Sequence, residues 1–434
     1  MFLQIFIIFI LVVLVIVLIE LKKIKQSLDD LESRVKKQEA SAVSSGRVTE
    51  NWWDLEMPKV KVPTSILKSH QDKPKKSDLP FSKQKIEETL KRLGIKYEKV
   101  NNPDIGPSVA RFSFKPAEGV KIQDIMDLKN DVALALAAHP IRIEAPIPGT
   151  DLVGIEVPNQ TKTIVWLKEE LEEKGFKKAK GELKISFGRD VEYSQWIADL
   201  LALPHLMVGG ATNSGKSVFF HSLIISLMTQ HTPETLRFIV ADLKRVEFAV
   251  YNGLPYLLTP VIMEYQKAAN AAKWCLNELD RRFKILSENE AKDIVEYNKK
   301  NKEKMPFIVF IIDEMADFSV ADEDNRLREN MVKLLRMGKA VGIHLIVGTS
   351  RPCEETYPDL LRANFPARLS FATASADDSE IIINRGDAVS LLGRGDCLFI
   401  NEEMSMPVRL QAPFVDEEDI KNVVEYIKDE AGKK

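Results

Sequence analysis

The chain has 434 residues, with 61 Lys and Arg against 64 Asp and Glu, so its formal net charge is −3. Its 45% hydrophobic and 29% charged residues are ordinary for a globular protein and exclude a collagen-like, a wholly disordered or a multi-span membrane chain. The length predicts two or three domains, and the charge excludes a uniformly basic nucleic-acid-binding domain, so a polyanion would have to meet local positive charge.

Residues 1–20 are predicted to form a transmembrane helix. The opening stretch MFLQIFIIFILVVLVIVLI carries no charge, and at about 1.5 Å per residue it nearly spans a bilayer core of about 30 Å. A secretory signal would have basic residues before it and a cleavage site after it, whereas here Lys22, Lys23 and Lys25 follow it. The positive-inside rule places the N-terminus outside and the remaining chain in the cytoplasm. This pattern predicts a single-pass protein of the cell membrane, with a buried core helix as the alternative.

Residues 21–40 are predicted to continue as a short coiled-coil-like helix, and residues 41–80 to form a flexible linker. The first segment has apolar residues at a and d positions over about two heptads. That pattern also fits a plain extension of the membrane helix with one apolar face. The second segment is rich in Ser, Lys and Pro and lacks sustained periodicity, which is typical of a tether.

A small α/β domain is predicted for residues 81–184. Helical spacing in KQKIEETLKRLGI stops at Gly94, SVARFSFKP alternates like a strand, and IQDIMDLKNDVALALAA is helical again. The stretch IRIEAPIPGTDLVGIEVP fits two strands around a Pro-Gly turn. Because this domain has no catalytic constellation, we expect it to serve packing, assembly or the guiding of a substrate.

A complete P-loop pattern, G-x-x-x-x-G-K-[ST], occupies residues 210–217. It follows an apolar run and precedes an amphipathic helix, which is the context that the motif requires. Backbone N–H groups and the helix N-terminus cradle phosphates in such loops, Lys216 reaches the β and γ phosphates of ATP, and the Ser217 hydroxyl ligates Mg²⁺. The predicted nucleotide-binding residues of the loop are Gly210, Ala211, Thr212, Asn213, Ser214, Gly215, Lys216 and Ser217.

A second acidic element follows the P-loop by about a hundred residues. The apolar run FIVFII ends in Asp313 and Glu314. Asp313, at the carboxyl end of a central strand, is placed to hold Mg²⁺ through water, and Glu314 to orient and deprotonate the attacking water. This is the Walker B pattern, and a helix cap is the alternative interpretation of the two carboxylates.

Other apolar runs, at residues 237–242, 344–350, 368–373 and 397–400, predict an α/β fold with a mostly parallel sheet. Ligands bind at the carboxyl ends of strands in such sheets. Thr349 ends one of these runs and is therefore a candidate sensor of the γ-phosphate, with a capping threonine as the alternative.

The cysteines and two of the histidines are predicted to be structural. Cys275, Cys353 and Cys397 are widely spaced and lack the C-x-x-C or His pairings of metal and redox sites. We expect them to be reduced core residues without chemistry. His205 and His344 flank buried strands, which favours a place in the core over a catalytic role.

From residue 83 to 415 the chain resembles the FtsK/SpoIIIE family of DNA translocases. The resemblance rests on these motifs in fixed order: VPNQTK, PHLMVGGATNSGKS, IVADLK with Asp242, Lys244 and Glu247, FIVFIIDEMADF, GIHLIVGTSRP, NFPARLSF and SLLGRGDCLF. It implies that residues 81–184 are the family's α domain and that residues 185–434 are a RecA-like P-loop ATPase domain. It further implies a hexameric ring that threads DNA and holds ATP between subunits.

The resemblance suggests roles for further residues. Arg368 matches an arginine that could reach the neighbouring subunit's nucleotide as an arginine finger, and Arg351 could instead sense nucleotide or join a subunit contact. An ordinary ion-pair arginine is the alternative for both. Lys244 and Arg245 are the candidate DNA contacts, because the loop after Walker B is acidic at residues 322–324 and would repel phosphate.

Three departures from the family pattern bear on the function. Ser350 stands where the family usually has Gln, which puts the coupling of a sensor in question. One predicted membrane helix stands where the chromosome-segregating members of the family have a multi-span membrane domain. No winged-helix module is expected after the ATPase domain, so sequence-directed loading through such a module is not expected either.

These observations leave three hypotheses open. The first is a membrane-anchored ATP-driven pump of DNA, double-stranded in preference to single-stranded, that serves segregation or conjugative transfer. The second is a coupling ATPase of a secretion or conjugation system that moves single-stranded DNA or protein. The third is a nucleotide-gated assembly scaffold.

Overall fold

The computed structural model describes residues 57–70, 73–76, 79, 83–321 and 325–433, with the backbone alone for 319–321. The predicted membrane helix at 1–20, the coiled-coil-like helix at 21–40 and the acidic residues 322–324 lie outside these ranges. Among the described residues, no helix combines the length and the apolar character needed to cross a membrane.

The smaller sheet belongs to the predicted small domain and is antiparallel throughout. Its strands lie in the order β1-β3-β5-β4, and β2 pairs with β3. The predicted helix before Gly94 and the two strands around the Pro-Gly turn are confirmed, whereas the predicted helix at 122–138 breaks in two. The elements are α1 (Lys83–Arg92), β1 (Tyr97–Val100), β2 (Asp104–Ile105), β3 (Val109–Pro116), α2 (Ile122–Asp127), α3 (Lys129–Leu136), β4 (Arg142–Glu144) and β5 (Val153–Pro158).

Strand β3 is buried on both faces. Phe112 and Phe114 are fully buried in the apolar core that the sheet shares with the helices of this domain. The opposite face carries Arg111, which is also buried and donates hydrogen bonds to Asp104 and Glu192. Since a buried guanidinium needs acceptors, this polar face is suited to contact with the rest of the chain rather than with solvent.

The larger sheet has nine strands in the order β7-β6-β14-β13-β12-β8-β11-β10-β9. Its strands are β6 (Lys184–Asp190), β7 (Gln195–Asp199), β8 (Leu206–Gly209), β9 (Leu236–Ala241), β10 (Phe307–Ile312), β11 (Ile343–Thr349), β12 (Ala367–Phe371), β13 (Asp396–Asn401) and β14 (Val408–Gln411). Its helices are α4 (Leu167–Glu172), α5 (Lys174–Lys178), α6 (Lys216–Met228), α7 (Tyr265–Glu288), α8 (Ile294–Lys300), α9 (Met315–Ala321), α10 (Arg326–Met337), α11 (Asp359–Arg362), α12 (Ala376–Ile383) and α13 (Glu417–Gly432).

The prediction of a mostly parallel sheet is confirmed for one half of it. Strands β12, β8, β11, β10 and β9 are parallel, whereas β13 pairs antiparallel with both β12 and β14. The run CLFI in β13 is therefore a strand, as predicted, but it runs opposite to the parallel set. An apolar run indicates burial and carries no information about strand direction.

Helices α4 and α5 precede the predicted domain boundary at residue 184, and they contact the larger sheet. The Glu170 carboxylate of α4 accepts hydrogen bonds from Ser186 and Arg189 of β6, the latter at 2.6 Å. The two sheets themselves end and begin at Pro158 and Lys184.

Part of the predicted linker is docked on the domain that contains the larger sheet. Val60 and Val62 are buried, the Val62 N–H donates to the Met228 carbonyl at 3.2 Å, and Lys68 forms ion pairs with Asp416 and Glu418. The prediction that residues 41–80 are a flexible linker is therefore wrong for residues 57–70. The alternation of Val with Lys in KVKV was too short to reveal that these two valines are buried.

Removing the hydroxyl group of Tyr256 tests how firmly this segment is held. The hydroxyl lies 2.7 Å from the carbonyl oxygens of both Val60 and His231. Tyr256→Phe leaves buried acceptors without their donor, so we expect the free energy of unfolding to fall by about 1–2 kcal/mol and tryptic cleavage after Lys61 to accelerate. The matched change Tyr426→Phe on α13 should cost less than about 0.5 kcal/mol. Equal cleavage rates in the two variants would show that the segment is held elsewhere.

The buried histidines are structural, as predicted for His205 and His344. Burial lowers the pKa of His205 to about 3 and the pKa values of His221 and His344 to about 4. These side chains stay neutral in the folded protein, while in the unfolded chain they take up a proton below about pH 6.5. The unfolded state then binds more protons, so the free energy of unfolding falls as the pH drops from 6.5 towards 4.

Urea unfolding at pH 7 and pH 5 measures this effect. A histidine with a folded pKa near 4 loses about 2 kcal/mol of stabilisation over that interval. The variant His221→Asn keeps a polar atom facing the Tyr251 hydroxyl, which lies 2.8 Å from His221 Nδ1, but cannot titrate. Between pH 7 and pH 5, we expect the free energy of unfolding of this variant to fall by about 2 kcal/mol less than that of the parent chain. An unchanged pH dependence would contradict the neutral assignment.

Candidate active site

The P-loop lies between the end of β8 and the start of α6, at the carboxyl edge of the parallel strands. Gly210 and Gly215 have φ values of 153° and 117°, which only glycine adopts readily. A Cβ atom at Gly215 would lie 2.5 Å from the backbone nitrogen of Gly395, so close approach also demands glycine there. The loop backbone is thus set in a tight, pre-formed turn before the helix.

The loop presents polar groups towards a space that suits phosphate. Ser214 Oγ is buried and has no hydrogen-bond partner among the described residues, while Thr212 and Asn213 are exposed and Ser217 is half-buried on the first turn of α6. An orphaned hydroxyl beside a helix N-terminus fits an anion, because the helix dipole and the free N–H groups favour negative charge.

Lys216 joins the P-loop to the predicted Walker B pair. Its side chain is buried, and its ammonium donates to the carbonyl oxygen of Asp313 at 2.9 Å. The same nitrogen lies 3.6 Å from Asp313 Oδ1 and 3.7 Å from Glu314 Oε2. The structure therefore brings the three predicted residues together across β8, β11 and β10.

Asp313 follows β10 and has one carboxylate oxygen to spare. Its Oδ1 is buried without a hydrogen-bond partner in the described part of the chain. Burial raises the pKa of Asp313 to about 6, although the Lys216 ammonium acts against this rise. A buried, poorly compensated carboxylate of this kind is suited to a cation, as the Walker B prediction requires.

Glu314 is held by the end of β11. Its carboxylate accepts hydrogen bonds from Thr349 Oγ1 at 2.7 Å, from the Ser350 N–H at 2.7 Å and from the Ser350 hydroxyl. Burial acts to raise the pKa of Glu314, but the Lys216 ammonium and these hydrogen bonds outweigh it and hold the pKa below its usual value. Glu314 is consequently ionised, and its orientation is controlled by its neighbours.

Ser350 is the residue whose role the sequence obscured. It departs from the family's usual Gln at this position, yet both its backbone N–H and its hydroxyl bind Glu314. Thr349, the predicted phosphate sensor, is fully buried and donates to the same carboxylate. The role of Thr349 as a sensor of the γ-phosphate remains a prediction. Its hydrogen bond to Glu314 is a contact that the sequence did not predict.

The loop after β9 brings the candidate DNA-contact residue Lys244 to this site. Lys244 Nζ lies 3.4 Å from Glu314 Oε2 and 3.7 Å from Asp317 Oδ2. Burial acts to lower the pKa of Lys244, whereas these two carboxylates act to raise it. Their effect is the larger, so the pKa of Lys244 lies above its usual value. Asp242 shapes the loop by accepting hydrogen bonds from the N–H groups of Arg245 and Glu247. Both Lys244 and Arg245 are exposed, and their contact with DNA remains a prediction.

The candidate finger Arg368 and the candidate sensor or subunit-contact residue Arg351 are placed differently. The Arg368 guanidinium is directed at the chain's own backbone, with hydrogen bonds to the carbonyl oxygens of Arg362 at 3.0 Å and Ile382 at 3.4 Å and to Asn384 Oδ1 at 3.2 Å. Arg351 is exposed and lies beside the site through its N–H, which donates to Thr349 Oγ1. A finger role for Arg368 remains a prediction and would require it to leave these acceptors.

The three cysteines have no place in this site. Cys275 and Cys397 are buried and free, as predicted, whereas Cys353 is half-buried and its Sγ lies 3.1 Å from Thr356 Oγ1. Burial raises the pKa of the Cys275 thiol to about 12, so this sulfur is protonated and unreactive at neutral pH.

Two family models match the chain in consecutive segments. The FtsK alpha domain model matches residues 57–159, and the FtsK/SpoIIIE family model matches residues 166–354. The first begins at the docked segment and covers the smaller sheet. The second includes the P-loop, Asp313 and Glu314, and it ends just after Ser350.

Curated relatives match over the same regions. The chain is 42% identical over 381 residues to "DNA translocase FtsK" of Clostridium tetani, covering 87% of this chain and 51% of the relative. It is 37% identical over 412 residues to "DNA translocase SpoIIIE" of Bacillus subtilis, covering 92% and 52%. The chain thus spans about half the length of these curated relatives.

Solved structures share the fold. The conjugation coupling protein TcpA, in its monomer form with ATPγS, has a TM-score of 0.55 at 23% identity, covering 81% of this chain and 99% of that one. EssC (ATPases 2 and 3) from Geobacillus thermodenitrificans has a TM-score of 0.52 at 18% identity, covering 59% and 50%. The mixed α/β fold is therefore that of P-loop ATPases. With the Lys216, Asp313 and Glu314 site and the two consecutive domain matches, the chain is an ATPase that belongs to the FtsK/SpoIIIE family.

Proposed function

We propose that the chain is a membrane-anchored, ATP-driven translocase of double-stranded DNA that works as a ring of identical subunits. The observation that carries this proposal is the identity of about two in five residues to FtsK and SpoIIIE translocases through both the small domain and the ATPase domain. The P-loop, Asp313 and Glu314 supply the ATPase that such a pump needs.

The ATP site is proposed to work with Mg²⁺. Within the described ranges, no group of three His, Cys, Asp or Glu residues could hold a metal by itself, which fits Mg²⁺ bound largely by phosphates and water. Ser217 and the spare oxygen of Asp313 would hold it, and it would neutralise the phosphate charge. Lys216 would bind the β and γ phosphates, and Glu314 would orient the attacking water and take its proton.

Anchoring is proposed to use residues 1–20, with the chain's remainder in the cytoplasm. The uncharged first nineteen residues and the lysines that follow them support this orientation. Residues 57–70 are docked on the ATPase domain. A force applied to the chain through the membrane anchor would therefore reach the ATPase domain before the small domain.

Rings assembled from a mixture of two variants test the proposed ring and its arginine finger. Lys216→Ala disables a subunit's own ATP site, and Arg368→Ala removes the group offered to the neighbour's site. If Arg368 acts between subunits, the mixture contains sites with both groups intact, so its ATPase rate should exceed that of either variant alone. Arg368→Lys, which keeps the charge but loses the planar fork, should be the milder change. A mixture no faster than the average of its two variants would contradict the shared site.

The ATPase rate of the full chain in detergent, with double-stranded DNA, single-stranded DNA or no DNA, tests the proposed function. We expect the largest stimulation with double-stranded DNA and a steep loss of that stimulation as salt rises, because phosphate contacts release counterions. The variant Arg245→Ala, which leaves the contact of Lys244 with Glu314 in place, should lose stimulation by DNA, whereas the matched change of exposed Lys273 on α7 should not. Stimulation by single-stranded DNA or protein alone would favour a coupling ATPase, and negligible turnover in an assembled ring would favour a scaffold.

A further inference from the structure

A tight turn at residues 392–395 packs against the P-loop. The Gly395 N–H donates to the Ser214 carbonyl at 2.8 Å, and the Gly395 backbone leaves no room for a Cβ atom at Gly215. Gly393, Arg394 and Gly395 all have positive φ values, of 67°, 53° and 92°. Because successive residues in this conformation are costly for a non-glycine residue, the turn needs support from outside itself.

Asp396 supplies part of that support. It is fully buried at the start of β13, and its Oδ2 accepts a hydrogen bond from the Leu392 N–H at 2.7 Å, which closes the turn. Arg409 of β14 binds the same carboxylate with two nitrogens, at 2.9 and 2.6 Å. This paired geometry is the strong, oriented form of a carboxylate–guanidinium contact.

Arg409 also reaches the small domain. Its third nitrogen donates to Glu156 Oε2 on β5 at 2.8 Å, and Glu156 Oε1 accepts from Arg142 on β4 at 3.1 Å. All of these side chains are at least 95% buried. A buried ion pair loses several kcal/mol when one partner is removed, because the other charge is left unpaired. Arg409 is therefore bonded to the smaller sheet as well as to Asp396 beside the turn.

We propose that Asp396 and Arg409 are positioning residues of the ATP site, and that Glu156 of the small domain holds them in place, so that the small domain is part of the support for the P-loop. The inference rests on the ATP site and its ATPase activity, and it is independent of the proposed DNA translocation. Its consequence is thermodynamic linkage: whatever loosens the small sheet weakens nucleotide binding, and bound nucleotide tightens the small sheet in return.

The variant Glu156→Gln tests this link in the full chain. It removes one charge from the small domain and substitutes neither Asp396, Arg409 nor any residue of the turn. We expect the Kd for ATPγS and the KM for ATP to rise about threefold to tenfold, while kcat changes less than twofold because Glu314 is held by β11. Asp396→Asn should have a larger effect on the same two constants, and Arg409→Lys, which keeps the charge, an intermediate one.

The matched control is Glu278→Gln. Glu278 is buried and paired with the buried Arg282 at 2.8 Å, but both residues belong to the single helix α7. This control removes a buried charge of the same kind without touching the two-sheet contact, so its ATPγS affinity should stay within twofold of the parent. If Glu156→Gln binds ATPγS as the parent does while Asp396→Asn does not, the turn is positioned without the small domain and the proposal is wrong. Equal losses in Glu156→Gln and Glu278→Gln would overturn it as well.

Discussion

Lys216→Ala is expected to abolish detectable ATP binding and hydrolysis. The ammonium is the group that reaches the β and γ phosphates, and charge-assisted hydrogen bonds of this kind contribute about 1.5–3 kcal/mol each. The same nitrogen lies within 3.7 Å of both Walker B carboxylates. Without it, the buried Asp313 carboxylate loses its ammonium neighbour and Glu314 keeps only the exposed Lys244, so we expect an affinity loss of at least about 100-fold.

Equilibrium binding of ATPγS and steady-state ATPase rates measure this loss. Thermal unfolding of the variant separates a site effect from a folding effect, because the nucleotide-free protein loses a buried ammonium as well. A second variant, Lys216→Arg, keeps the charge and serves as the control for it. Turnover at the parent rate by Lys216→Ala would show that the nucleotide lies elsewhere.

Glu314→Gln is expected to bind ATP normally and to stall its hydrolysis. The amide keeps the size of the side chain and an acceptor oxygen for the Ser350 N–H, so the loop geometry should persist. It cannot accept a proton from water, and loss of a general base costs about 10²–10⁴ in rate. We therefore expect kcat to fall by that factor, with the Kd for ATPγS within about threefold of the parent.

Neighbouring variants show whether Glu314 is controlled as the structure indicates. Ser350→Ala removes the hydroxyl contact but leaves the backbone N–H in place, so we expect a smaller loss in kcat than for Glu314→Gln and little change in affinity. Full activity of Glu314→Gln would contradict its role as the base. Loss of nucleotide binding in the same variant would assign Glu314 to ligand binding instead.

The parts of the site that lie within one motif were predictable from sequence. The P-loop and the Asp313–Glu314 pair follow buried apolar strands, and parallel strands bring their carboxyl ends to one edge of a sheet. Lys216 and the two carboxylates are accordingly within hydrogen-bond or ion-pair distance of one another. The burial of His205 and His344 followed from the same apolar context.

The parts that depend on pairing between distant residues were not predictable. Strands β6, β7 and β14 carry charges and short apolar stretches. Their place in the sheet depends on distant neighbours, such as Asp190 of β6 for Leu410 of β14, more than two hundred residues apart. The contact of Ser350 with Glu314 joins the ends of two strands, and the Arg409–Glu156 bond joins two sheets. No local periodicity encodes such contacts.

The docked segment at 57–70 shows how composition can mislead. Its Lys, Pro and Ser content is typical of a tether, yet two buried valines and the Lys68 ion pairs place it against the ATPase unit. Only a few side chains decide its position, and the surrounding sequence dilutes their signal.

The most direct test of the proposed translocation is ATP-driven displacement of a third strand from a linear double-stranded DNA by the full chain. If the ring pumps double-stranded DNA, the parent protein displaces the third strand with ATP and not with ATPγS, and Glu314→Gln fails to displace it while still binding the DNA. Vigorous ATP hydrolysis in the presence of double-stranded DNA without displacement of the third strand would contradict translocation.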